Sequence, residues 1–115
     1  MSRIEPILEK LQEMHNQDDQ MELIIETLSN EVLYPEPGKF YTFIYKPKTP
    51  NISYDEYPLI ACTELFAWGF RGENFHWRKP RQYTWEEVIG KLHVVNYDEL
   101  DDLISIQYGK IRLNK

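Results

Sequence analysis

The sequence predicts an α+β fold in which amino-terminal helices precede a small antiparallel β domain with short carboxyl-terminal helices. Residues 3–33 place apolar side chains at helical spacing. Residues 38–81 hold all five phenylalanines and two of the three tryptophans, residue types that strands favour. The breaker sequence YPEPG at 34–38 separates the two parts. We therefore expect a helical segment at 1–34 and a β-rich domain at 38–115.

Two helices are predicted in the first segment. The apolar residues of 3–16 are spaced three or one apart, which is typical of an amphipathic helix, and Pro6 lies in the first turn, where a missing N–H costs little. Asp19 and Glu22 have capping-box spacing, so a second helix is predicted to begin at Asp19 and to carry apolar residues as far as Leu33. The helices either fold as a hairpin on the β domain or pair with another subunit. The predicted oligomerisation contacts are Ile7, Leu11, Ile24 and Leu28.

The β domain is predicted to hold three main strands. They are Phe40–Tyr45, Leu59–Trp68 and a stretch from about Arg71 to Trp77, of which the last two form a hairpin. Two prolines after Tyr45 remove ladder donors, so a loop is expected as far as Tyr57. This order of strand, long loop, strand, tight turn and strand resembles SH3-like folds, as a small barrel or a bent sheet. The expected interior residues are Phe40, Phe43, Leu59, Ala61, Phe66 and Phe75.

The last third of the chain alternates short elements. TWEE at 84–87 has the pattern of a capping box and predicts a helix to about Leu92, followed by a short strand at 93–95. Asn96 and Glu99 repeat the capping-box spacing, which predicts a short helix over 97–103. Residues 104–113 form either a terminal hairpin around Tyr108-Gly109 or a strand and tail.

Composition and charge limit the class of protein. An apolar content of 42% over 115 residues allows one core and excludes wholesale disorder. No apolar run reaches the roughly 18 residues of a membrane-spanning helix, and the first residues lack the apolar stretch of a secretory signal. The net charge of −6 is uneven: residues 1–37 hold nine acidic against two basic side chains, a net −7. A general nucleic-acid binder would be basic overall.

No pattern in the sequence indicates catalysis. Cys62 lies in an apolar run and is expected to be a small buried hydrophobic residue, with no partner for an internal disulfide. His15, His76 and His93 are far apart and have no metal-ligand spacing. Adjacent carboxylates point in different directions on a helix, and the GFRG sequence at 69–72 lacks the spacing of a phosphate loop. We expect no catalytic residue, no metal and no cofactor, so the chain is not expected to be an enzyme.

Two basic loops beside aromatic residues are the candidate binding site. The predicted partner-binding residues are Lys46, Lys48, Arg78, Lys79, Arg81, Trp77 and Tyr83. Cations next to aromatic rings suit single-stranded nucleic acid, whose bases stack on the rings. The same residues also suit contact with a protein, including an acidic neighbouring subunit, or a solvated surface.

One stretch resembles a known family. Residues 38–77 resemble small virion structural and assembly proteins of large tailed, T4-like bacteriophages, including those of cyanobacteria. The matching motifs are GKFY at 38–41, YKPKT at 45–49, YD at 54–55, YPL at 57–59 and GFRGENFHW at 69–77. The resemblance implies a structural role in the tail, baseplate or neck, and it carries over no catalytic residue.

The function expected first is therefore that of a non-enzymatic virion structural or assembly protein. Its partners would be other virion or assembly proteins, with homo-oligomers as a further option, in the virion or in the cytoplasm of the infected host cell and without a membrane. One alternative is a small nucleic-acid-binding or DNA-end-protecting module. Another is an acidic inhibitor of a host enzyme, whose carboxylate-rich helices mimic nucleic acid.

Overall fold

A computed structural model of the protein describes residues 2–14, 16–46 and 57–104. The α+β fold predicted from the sequence is confirmed, with amino-terminal helices, a six-stranded antiparallel sheet and a short carboxyl-terminal helix. The sheet is open and is not closed into a barrel. No helix of the described residues is long and apolar enough to cross a membrane. Lys48, most of the predicted long loop, His15 and the predicted terminal hairpin beyond Ile104 lie outside the described residues.

The amino-terminal segment contains two separate helices. A 3₁₀ helix at Glu5–Ile7 continues into α1 (Leu8–Glu13), and α2 spans Gln17–Thr27. The Asn16 side chain accepts hydrogen bonds from the backbone N–H groups of Asp18 at 2.7 Å and Asp19 at 3.4 Å. Because Asn16 satisfies donors of the first turn, α2 begins two residues before the start that was predicted at Asp19.

The six strands pair in the order β1-β6-β2-β3-β4-β5, so β1 and β5 are the edges of the sheet among the described residues. Their bounds are Glu31–Val32 (β1), Phe40–Tyr45 (β2), Leu59–Leu65 (β3), Gly69–Asn74 (β4), Lys79–Thr84 (β5) and Val88–Val95 (β6). The strand predicted at 40–45 is confirmed with the same bounds. The predicted hairpin is also confirmed, but its turn lies between Leu65 and Gly69. β3 therefore ends three residues before the predicted Trp68, and β4 spans Gly69–Asn74 in place of about Arg71 to Trp77.

Three predicted elements are wrong. Lys79 and Arg81 were expected in a loop but lie in β5, because an edge strand tolerates both the cations and Pro80. The helix expected over 84–92 is a 3₁₀ turn (Trp85–Glu87) followed by β6. The predicted extension of the second helix to Leu33 is also wrong, because α2 ends at Thr27 and β1 pairs with β6.

A short helix at the carboxyl-terminal end was predicted correctly. A 3₁₀ turn at Tyr97–Glu99 leads into α3 (Leu100–Ile104). Both bonds of the capping box between Asn96 and Glu99 are present.

The sheet separates two apolar clusters. The helix-side cluster consists of Ile4, Leu11, Met21, Ile24, Leu28, Leu59, Val95 and Leu103. The aromatic cluster consists of Tyr41, Phe43, Tyr45, Ile60, Cys62, Phe70, Tyr83 and Leu92. Successive residues of β2 and β6 contribute to opposite clusters, as the alternation of a strand requires. Of the six predicted interior residues, Phe43 and Leu59 are fully buried and the other four are partly buried.

The sheet bends strongly around the aromatic cluster. The rings of Tyr45 in β2 and Tyr83 in β5 lie 5.0 Å apart, centroid to centroid. Three strand spacings separate these strands, about 14 Å in a flat sheet. The Tyr45 hydroxyl also reaches β5, where it accepts a hydrogen bond from the Thr84 N–H at 3.3 Å. The bend therefore brings the edge strand β5 back over β2.

The predicted oligomerisation contacts lie inside this chain's own core. Leu11, Ile24 and Leu28 have no exposed surface and belong to the helix-side cluster, and Ile7 packs against that cluster. A contact through these side chains would require the helices to leave the sheet. Self-association through them stays a prediction.

Candidate partner-binding surface

The surface is built on the turn that joins β4 to β5. Asn74 is buried at the end of β4, and its side chain accepts a hydrogen bond from the Trp77 N–H at 3.0 Å. The same side chain donates to the Tyr83 hydroxyl at 3.0 Å. The Arg78 N–H donates to the Asn74 carbonyl at 2.7 Å, with Arg78 in the left-handed region at φ +58°. Asn74 thus fixes the position of Trp77 relative to β5.

Two cations lie over the Trp77 ring. The guanidinium carbon of Arg81 is 5.3 Å from the ring centroid, and the ammonium nitrogen of Lys79 is 5.9 Å from it. Both distances are within the range of cation–π attraction. Because residues two apart in a strand point to the same side, β5 presents Lys79 and Arg81 to the same ring.

A second pairing of guanidinium and aromatic rings lies at the β3–β4 turn. Phe66 and Trp68 stack with ring centroids 4.8 Å apart, and 44% of Trp68 is exposed. The Arg71 guanidinium lies 5.7 Å from the centroid of the Phe66 ring and pairs with Glu64 at 2.9 Å. An exposed indole and a partly buried arginine therefore both lie against the Phe66 ring at this end of the sheet.

A groove at the edge of the sheet joins these two groups. Arg71 lies opposite Gln82 and Gly72 lies opposite Arg81 in the β4–β5 ladder, so Arg71 and Arg81 leave the ladder on opposite faces. Residues of both faces line this groove of about 450 Å³: Arg71, Lys79, Pro80, Arg81 and Gln82. We define the basic–aromatic surface as Phe66, Trp68, Arg71, Trp77, Lys79 and Arg81.

The structure brings together only part of the predicted site. Trp77, Lys79 and Arg81 are in contact, and Arg78 is exposed beside them. Lys46 is exposed at the end of β2 and is not among the residues that line this groove.

The prediction that Tyr83 lies at the surface is wrong. Its ring has no exposed area, because β5 bends inward and stacks it 5.3 Å from Phe70. Its role at this surface is indirect, through the hydrogen bond from Asn74.

Three members of the surface were missed from the sequence. Arg71, Phe66 and Trp68 belong to a hairpin that was predicted, but Arg71 lines one groove with Lys79 and Arg81 only because β4 pairs with β5. Alternation in β4 places Arg71 on the opposite face from Phe70, Gly72 and Asn74, so no local pattern indicated that it lines the same groove as Arg81.

Several titratable groups away from this surface are buried or hydrogen-bonded within the chain. Burial raises the pKa of the Cys62 thiol, which disfavours the reactive thiolate. Burial, together with the hydrogen bond to Glu87, raises the pKa of Tyr45 to about 12. His76 is buried, with Nε2 3.2 Å from the Tyr57 carbonyl. Within the described residues, no group of three or more metal-ligating side chains is placed to hold an ion.

No protein-family model, curated protein or solved structure matches this chain.

Proposed function

We propose that this chain is a non-enzymatic assembly protein that binds a neighbouring protein through the basic–aromatic surface. The resemblance of residues 38–77 supports a bacteriophage particle as the setting, with a place in the tail, baseplate or neck. The partner surface would carry carboxylates beside apolar side chains, which complement cations held against aromatic rings.

The observation that carries the proposal is the interleaving of arginines with tryptophans. Arg71 lies over Phe66, which stacks on the half-exposed Trp68, and Arg81 lies over Trp77. Tryptophan and arginine are the residue types most often found where a few side chains dominate the affinity of a protein interface. Each guanidinium is pre-positioned by a ring, so less side-chain entropy is lost when it binds a carboxylate.

The geometry favours a protein partner over single-stranded nucleic acid. Stacking of bases needs an open aromatic face beside the cations. Tyr45 and Tyr83 are buried in the aromatic cluster, and the Trp77 ring already carries Lys79 and Arg81. In this surface only Trp68 offers a ring with a large exposed area, and Phe66 stacks on it.

Calorimetric titration against the purified products of neighbouring genes tests the proposal. We expect the full-length chain to bind at least one of them, and Trp68→Ala combined with Arg71→Ala to weaken that binding about 30-fold or more, as for a hot spot worth about 2 kcal/mol. Lys91→Ala is the matched control, because Lys91 is an exposed cation on β6. It should change affinity by less than about threefold.

Two results would overturn the proposal. One is binding that the double variant leaves unchanged. The other is absence of protein binding together with tight, salt-sensitive binding of a single-stranded oligonucleotide, which would favour the nucleic-acid alternative.

A further inference from the structure

We infer that the partner of the basic–aromatic surface is a second copy of this chain, which docks the acidic outer face of its α2 helix there. This inference rests on the proposed function, because it names the partner of the same surface. Each copy would use its basic–aromatic surface toward one neighbour and its α2 helix toward the other.

The outward face of α2 is the part of a second copy whose charge complements the basic–aromatic surface. α2 contains four acidic residues and no basic residue. Its apolar side chains Ile24 and Met21 are turned into the helix-side cluster, so Asp19, Glu22 and Glu26 remain exposed. Within the described residues these three carboxylates form no ion pair in the chain, so the charge of this face is not neutralised locally.

This face also has a shape that a protein surface can fill. A groove of about 330 Å³ runs along it, lined by Met14, Asp19, Glu22, Leu23 and Glu26. Met14 and Leu23 are partly buried and give it an apolar floor. The groove therefore combines carboxylates with apolar contact, the chemistry that the basic–aromatic surface complements.

The spacing of the charges also agrees. Glu22 and Glu26 are one helical turn apart on the same face, with Cβ atoms about 6 Å apart. Lys79 and Arg81 are two residues apart on the same side of β5, about 7 Å apart. Two parallel pairs of opposite charge can therefore form at once, and an arginine can bind its carboxylate through two hydrogen bonds.

The contact joins two different patches, so it is head-to-tail. A heterologous contact of this kind closes into a ring when the rotation between copies allows it and otherwise extends into a filament. Both outcomes suit a structural part built from repeated copies.

Sedimentation velocity of the full chain and two charge-reversal variants tests the inference. The basic-side variant is Arg78→Glu with Lys79→Glu, and the acidic-side variant is Glu22→Lys with Glu26→Lys; all four side chains are exposed, so folding should be retained. We expect wild type to associate at about 20 mM salt and its association constant to fall at least about tenfold by 300 mM, where charges are screened. Each variant alone should be a monomer.

The mixture of the two variants gives the sharpest result. The basic-side variant retains an acidic α2, and the acidic-side variant retains a basic–aromatic surface, so the mixture should form dimers and stop there. A wild type that stays monomeric at low salt overturns the inference, as do variants that associate like wild type or that fail to dimerise when mixed. If Trp68→Ala with Arg71→Ala still weakens binding to another protein, the proposed function stands without this inference.

Discussion

Glu99 holds the amino-terminal segment to the carboxyl-terminal helix. Its fully buried carboxylate accepts hydrogen bonds from the Arg3 side chain at 2.7 and 2.9 Å, from the Arg3 N–H at 3.0 Å and from the Asn96 N–H at 2.8 Å. Burial alone would raise the pKa of Glu99, but the bonds from Arg3 and Asn96 outweigh it, and the pKa is lowered. The sequence predicted the bond within the capping box, whereas the ion pair joins residues 96 apart and has no local signal.

Glu99→Gln should therefore destabilise the protein by roughly 3 kcal/mol at pH 7, because it leaves the Arg3 guanidinium without its carboxylate. A carboxyl group whose pKa is lowered in the folded state stabilises the protein fully when the pH is above its unfolded-state pKa of about 4.3. That stabilisation is lost as the pH falls through the folded-state pKa. The difference between wild type and variant in urea unfolding should accordingly shrink below about pH 4. Glu13→Gln, at an exposed carboxylate on α1, is the control. A difference that stays constant down to pH 3 would contradict this account.

The pairing of β4 with β5, which positions the basic–aromatic surface, depends on Gly69. A Cβ atom at this position would lie 1.9 Å from the Tyr83 carbonyl oxygen and 2.8 Å from the Thr84 Cα atom. Backbone atoms cannot yield as a side chain can, so Gly69→Ala should cost roughly 3 kcal/mol or more. Gly90→Ala is the comparison, because Gly90 has φ +77° and open space around it, and only the strain of about 1 kcal/mol is expected. Equal losses in chemical denaturation would show that the close approach at Gly69 is not decisive.

At the scale of elements, the sequence predicts best where local pattern and tertiary position agree. Phe40–Tyr45 is aromatic and lies in the middle of the sheet, and its bounds were predicted without error. The 84–92 stretch shows the opposite case. The Thr84 hydroxyl donates to the Glu87 carboxylate at 2.6 Å in place of capping a helix, and the residues from Val88 onward pair with β2. Pairing with distant strands stabilises this stretch more than one helical turn would, and that pairing cannot be seen in the local sequence.

At the scale of the molecule, the basic–aromatic surface was only half predictable. Composition and spacing indicated that Trp77, Lys79 and Arg81 lie together, and contacts between the cations and the ring agree with that. The burial of Tyr83 depends on the bend of the sheet, and the position of Arg71 in the same groove as Lys79 and Arg81 depends on the β4–β5 pairing. Both are non-local properties.

The two apolar clusters share one sheet, and this makes cooperative unfolding of the whole chain the expected behaviour. The sequence predicts two segments, 1–34 and 38–115, but Leu59 and Val95 of the sheet pack with Ile24 and Leu28 of the first segment. Leu11→Ala in the helix-side cluster should lower the free energy of unfolding by about 2–5 kcal/mol, and so should Leu92→Ala in the aromatic cluster.

Each variant should unfold in one transition, whose midpoint is the same by far-ultraviolet circular dichroism and by tryptophan fluorescence. The reason is that loss of either cluster removes support from the same strands. Leu33→Ala, at a side chain that is 64% exposed, should stay within about 0.5 kcal/mol of wild type. Separate transitions in Leu11→Ala, with the helical signal lost before the fluorescence changes, would instead show that the helices fold independently of the sheet. The acidic face of α2 would then be carried by a detachable segment, and the order of assembly would begin with the docking of that segment on its own sheet.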